Sequence, residues 1–236
     1  MKYSFTYLLI LAIALVSCKK DEEETLVIDP CGIDFSTTIH YGAVGDEFSS
    51  GLFISADSSW SKSMEQYIID QGFTLSAFAQ IGGEGNTAAD LLEAMDNDPN
   101  AACKNLITLM CGTHDQLNGR SESQFQQDYT ELLAKVISRA GSGERVVCVT
   151  IPDYSITPGL PASAGTPEEA NADIQAYNAI ITSAADAQGA RLADIYPISQ
   201  SAYQILYVPE DEFHPDEDHH LLWANVIAAQ VYQALN

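Results

Sequence analysis

The chain has 236 residues, 46% hydrophobic and 18% charged, which suits one globular domain with a sizeable core and excludes a disordered body. Its 33 acidic and 10 basic residues leave a net charge of −23, which argues against nucleic acid as a partner because phosphate contacts need Lys and Arg. The same acidity favours solubility.

Residues 1–17 read as a signal peptide: Lys2 supplies a positive start, and Leu8 to Val16 form an apolar stretch too short to span a membrane comfortably. Leu15-Val16-Ser17-Cys18 resembles a bacterial lipobox, so Cys18 is the expected lipidation site and new N-terminus. A lipid there would tether the protein to a membrane without a span. The run Lys19-Lys20-Asp21-Glu22-Glu23-Glu24-Thr25 makes 18–36 an acidic tether. Its basic-then-acidic order also resembles an export tag. The expectation is an outer-membrane lipoprotein exposed at the cell surface, with a periplasm-facing protein as the alternative. Of the remaining cysteines, Cys31 and Cys103 could form a disulfide in an oxidising compartment, whereas Cys111 and Cys148 sit in apolar runs and read as core.

Residues 37–236 form the folded domain. Thr38 to Val44 is the first strand, followed by the turn Gly45-Asp46-Glu47-Phe48-Ser49-Ser50-Gly51. Asp57 and Ser58 mark the start of a helix over Trp60 to Gln71, stopped by Gly72. Phe73 to Ala79 is the second strand, and Thr87 to Asp90 opens a helix with capping-box spacing. Leu106 to Cys111 is apolar throughout, as in a strand covered on both faces. Ser121 and Gln124 box the start of a long helix ending near Gly141, whose Leu132, Leu133, Val136 and Ile137 recur at helical period. Val146 to Ile151 is the fourth strand. Thr166-Pro167 caps a helix running to Gln188, Arg191 to Ile195 is a short fifth strand, and a last helix spans about Asp216 to Leu235. Strands alternating with helices predict an α/β fold, a doubly wound sandwich of three layers with a mostly parallel five-stranded sheet. Ligands in such folds bind beyond the carboxyl ends of the strands, where Glu47, Gly85, His114, Asp115 and Asp153 fall.

From Tyr41 onward the chain resembles the SGNH, or GDSL-like, hydrolases, a flavodoxin-like α/β family. Gly45, Asp46, Glu47 and Gly51 keep the spacing of that family's first block, Gly-Asp-Ser-x-x-x-Gly. Gly85-Asn86-Thr87-Ala88-Ala89-Asp90-Leu91-Leu92 resembles the second block, Gly112-Thr113-His114-Asp115 the third, and Asp211-Glu212-Phe213-His214-Pro215 the last, Asp-x-x-His-Pro. The resemblance implies ester hydrolysis on acylated glycans or lipids, with no cofactor. His214 would be the base and Asp211 its orienter. Gly85, the residue-47 backbone and the residue-114 side chain would be the oxyanion donors.

Two positions depart from the pattern: Glu47 replaces the nucleophilic serine and His114 the oxyanion asparagine. A carboxylate attacking an ester would give an anhydride, and its charge opposes an oxyanion in the same pocket. Serine chemistry is therefore expected to be lost or altered. The alternatives are a nucleophile at Ser49 or Ser50, water activated by Glu47 and His214, and a divalent metal held by Glu47, His114 and His214 with Asp211 beside them. A carbohydrate-binding protein without catalysis competes with all of these, and Phe48, Tyr154, Phe213 and Asp115 are its expected pocket residues. His219 and His220, in the last helix, read as surface residues.

Overall fold

The first strand, β1 (Thr38–Gly45), is the one from which the site turn emerges, and it lies inside a five-stranded sheet. The computed structural model describes residues 37–202 and 206–236, so the expected leader, the tether, Cys18 and Cys31 lie outside the described residues. β1 is followed by β2 (Thr74–Ile81), β3 (Leu106–Met110), β4 (Val146–Val149) and β5 (Arg191–Ala193). All neighbours run parallel, in the order β2-β1-β3-β4-β5. Every residue of β3 and β4 is buried, as expected for strands covered on both faces, whereas edge strand β2 is only partly covered.

The helices in chain order are α1 (Glu47–Ser50), α2 (Trp60–Asp70), α3 (Ala88–Asn97), α4 (Thr113–Leu117), α5 (Glu122–Ala140), α6 (Pro167–Gln188), α7 (Tyr196–Ala202) and α8 (Glu217–Leu235). α2 and α8 pack together on one side of the sheet, while α5 packs between α3 and α6 on the other, which gives three layers. Capping boxes close the starts of α3 (Thr87 with Asp90), α5 (Ser121 with Gln124) and α6 (Thr166 with Glu169). α2 begins at Trp60 as expected, but its cap is Ser59, which accepts from the Lys62 N–H, while Asp57 and Ser58 belong to a 3₁₀ turn. α1, α4 and α7 were not expected, because helices of four to seven residues are too short to show a helical period.

Cys111 and Cys148 are free and buried, as their apolar runs imply. Cys103 is disulfide-bonded, to a partner outside the described residues. His219 and His220 are not surface residues: both are fully buried against Trp223. The His220 Nδ1 accepts the Trp60 N–H at 3.3 Å, which joins α8 to the start of α2. Burial pushes His219 down to about 4 and His220 down to about 3, so both are neutral across the physiological range.

Candidate active site

Three parallel strands, β1, β2 and β3, end side by side, and the loops that leave them form the site. Gly45 ends β1 against the Met110 carbonyl and the Ser49 side chain, where a β-carbon would collide with both. Asp46 then caps α1, its Oδ1 accepting the Phe48 N–H at 3.0 Å, which sets Glu47 as the first helical residue. Asp46 is fully buried. Burial, and then the neighbouring charge of Glu47, raise its carboxyl well above the ordinary carboxylate range.

Glu47 is only 3% exposed, and its carboxylate is enclosed by donors. Oε1 accepts from the His114 Nε2 at 2.5 Å and faces the His214 Nε2 at 3.3 Å, and Oε2 accepts the Gly85 N–H at 3.0 Å. Burial on its own would raise the Glu47 carboxyl. The hydrogen bonds from His114 and His214, helped by its own backbone N–H, outweigh that and hold it well below its ordinary value. The three groups expected as oxyanion donors, the residue-47 N–H, the Gly85 N–H and the residue-114 side chain, therefore all serve one carboxylate.

His214 immediately precedes Pro215, which forms an isolated antiparallel bridge with Tyr207, and its Nδ1 meets the Asp211 Oδ2 at 2.5 Å. Asp211 also accepts the backbone N–H groups of Phe213 and His214, so its carboxylate is fixed from the loop it belongs to. Burial favours neutral His214, but hydrogen bonds and charge from Glu47 and Asp211 outweigh it and raise the imidazole above 6.5. A carboxylate faces each ring nitrogen, which favours the protonated imidazole and works against His214 as a base. The site is thus a chain of alternating carboxylates and imidazoles, Asp211, His214, Glu47, His114.

The expected pocket residues are corrected. Phe48, Tyr154 and Asp115 are fully buried and Phe213 is 5% exposed. The three aromatic rings pack against one another beneath His214, with centroids 5.5–6.3 Å apart, and they form core rather than a stacking surface. Tyr154 turns its hydroxyl to Gln116 at 2.8 Å. Asp115 accepts the Ala88 N–H at 2.9 Å and faces the Arg120 Nε at 3.3 Å, so it fastens the start of α3 and the loop that carries Gly85. Asp153 is also buried, accepting from Ser155, Asn171 and Gln200. The exposed aromatic at the site is one the sequence did not mark. Phe53 is 55% exposed, in a left-handed backbone conformation (φ 65°), with its ring 5.7 Å from His214. Among the serines, Ser49 is fully buried beneath the turn. Ser50 opens instead onto a cleft of about 270 Å³ bounded by Ser59, Lys62, Phe78 and Gln80. Neither serine hydrogen-bonds His214.

A parallel α/β sheet with Gly-Asp-x-x-x-x-Gly after its first strand and an Asp–His pair on the last loop defines a class. The chain belongs to the GDSL-like lipase/acylhydrolase family, whose pattern matches residues 43–222. Solved structures share the fold. A structure titled TesA superposes with a TM-score of 0.66 at 17% identity, covering 84% of this chain and 99% of that one. The acetylxylan esterase Axe2 from Geobacillus stearothermophilus gives 0.65 at 13% identity, covering 84% and 96%. The psychrotrophic esterase EstA from Pseudoalteromonas sp. gives 0.63 at 15% identity, covering 83% and 97%. No curated protein sequence matches the chain.

Proposed function

We propose that this chain is a surface lipoprotein built on an ester-hydrolase scaffold whose serine route is closed, and that its pocket binds acylated glycan or lipid esters without serine-based turnover. The observation that carries this reading is the Glu47 carboxylate lying on the oxyanion donors, with Gly85 at 3.0 Å and His114 at 2.5 Å. An ester carbonyl entering the site meets a fixed negative charge where its own oxygen would become negative, and among the described residues no hydroxyl hydrogen-bonds the His214 ring. Activation of water by Glu47 or His214 is disfavoured for a related reason: two imidazoles hold the Glu47 carboxyl low, and two carboxylates favour the protonated form of His214. The lipid anchor at Cys18 and the outer-membrane address rest on the leader motif. Among the described residues no helix is long and apolar enough to cross a membrane. A saccharide ligand is supported by the exposed Phe53 ring at the rim, a surface suited to sugar stacking.

The test is hydrolysis of 4-nitrophenyl acetate. Wild type is expected to match His214→Ala at background rate. A wild-type rate that falls about 100-fold or more in His214→Ala would show a working His-based mechanism and overturn the reading.

A further inference from the structure

We infer that the cleft between edge strand β2 and the start of α2 is a subsite for one neutral sugar ring of a glycan ligand, an inference that rests on reading this protein as a binder of acylated glycans. The cleft holds about 270 Å³, below the roughly 300–1,000 Å³ of pockets for drug-sized ligands, and so suits a single ring. The Phe78 ring gives it an apolar wall, and Ser50, Ser59, Ser61, Lys62 and Gln80 bring polar groups to it. It adjoins the active-site turn. Ser50 ends α1, the helix that Glu47 begins, and the Ser61 hydroxyl donates to the Ser49 carbonyl at 2.7 Å. The loop after α1 borders both places: Phe53 stands beside His214, and Ala56 and Asp57 line the cleft.

The polar atoms of the cleft select the ligand. Gln80 Nε2 is buried and has no hydrogen-bond partner among the described residues. A buried amide left unpaired is destabilising, and a ligand oxygen at that atom relieves it. Gln80 Oε1 lies 3.3 Å from the Ser61 Oγ, whose proton is already engaged by the Ser49 carbonyl at 2.7 Å. With the amide turned over, Nε2 would meet the Ser61 oxygen and Oε1 would be the open atom. A sugar hydroxyl both donates and accepts, so it pairs with either end. An acyl chain would cover the amide without pairing it. An anion is disfavoured because Lys62, the cationic residue of the lining, is paired with Glu65 at 2.6 Å, and Asp57 adds negative charge. Lys62 Nζ lies 5.2 Å from the Phe78 ring centroid, which sets a donor beside the apolar wall. A sugar ring, with an apolar C–H face and a hydroxyl edge, matches that pairing.

The experiment is NMR on the isotope-labelled full chain, with glucose, galactose, xylose and N-acetylglucosamine added one at a time. Each is taken to about 100 mM, because so small a ligand is expected to bind with a dissociation constant of roughly 1–10 mM. At least one sugar should shift the Gln80 side-chain amide and the Ser61 and Lys62 backbone amides together, saturably. Gln80→Leu should weaken that sugar about 10-fold by removing the amide. Ala56→Trp, at an exposed position, should do the same by filling the cleft, and it serves if Gln80→Leu does not fold. No saturable shift at Gln80 with any of the four sugars, or affinity within about threefold of wild type in the folded variants, would overturn the subsite. A shift confined to Phe53 and His214 would overturn it too, leaving the sugar on the rim alone. Hexanoate shifting Gln80 where no sugar does would show an acyl pocket instead. These failures are separable from failure of the closed serine route, which would appear as His214-dependent ester hydrolysis whether or not a sugar binds.

Discussion

Glu47→Gln isolates one of the charges that raise the His214 imidazole. At the 3.3 Å separation of Glu47 Oε1 and His214 Nε2, two unit charges interact by about 5 kcal/mol with an effective dielectric constant of 20. Part of that is offset by desolvation, and opposite charges at this range typically move a pKa by about 1–3 units, or roughly 1.4–4 kcal/mol. Asp211 remains in the variant and retains part of the effect. The His214 midpoint, raised above 6.5 in wild type, is therefore expected to fall by about one unit or more in Glu47→Gln. The assay is an NMR titration of the imidazole resonances, assigned with His214→Gln. The charge also sets a stability window. The lowered Glu47 carboxyl contributes stability above its unfolded value near 4.5, and this is lost as pH falls toward its folded value. The raised His214 contributes fully below 6.5 and loses its contribution as pH rises through its folded value. Wild type should exceed Glu47→Gln in stability most clearly between about pH 4.5 and 6.5, measured by urea unfolding. A His214 midpoint that moves by less than about 0.3 units would refute the coupling on which the account rests.

Two further outcomes follow from residues around the site. Asp115→Asn weakens the acceptor for the Ala88 N–H and the partner of Arg120, and should cost about 1–3 kcal/mol in urea unfolding with an unchanged m-value. His220 is held neutral down to about 3, so between 6.5 and that value the unfolded chain takes up a proton that the folded chain refuses, and stability falls as pH falls. His220→Gln keeps a side-chain acceptor for the Trp60 N–H and should flatten that decline; an unchanged slope would place the cause elsewhere.

The fold was legible because its signals are local. Capping boxes at Thr87, Ser121 and Thr166 and continuous apolar runs at β3 and β4 specify starts and burial without knowledge of the whole. The spacing of Glu47, Gly85, His114, Asp211 and His214 likewise named the residues that meet, because each follows a strand or lies on the final loop. What the sequence could not supply was direction. Phe48 and Phe53 both follow the first strand, but Phe48 lies in the first turn of α1 and packs inward, whereas the left-handed backbone at Phe53 turns its ring outward. Asp115 has the polarity of a pocket residue, yet it points at the α3 N-terminus across 27 residues. His219 and His220 look polar, but α8 is packed by α2, and neutral imidazoles are tolerated in the interior there. Nor could the spacing show that Glu47 and His114 are complementary partners; the 2.5 Å contact does.

The central claim is that position 47 holds a carboxylate on the oxyanion donors and that no other residue has taken over as nucleophile. Labelling with an activated alkylphosphonate ester, followed by mass mapping of the modified residue, tests it most directly. No phosphonate adduct is expected on wild type, and a single adduct at position 47 in Glu47→Ser/His114→Asn, lost when His214→Ala is added. A stoichiometric, His214-dependent adduct on the wild-type chain, at Ser49, Ser50 or elsewhere, would contradict it.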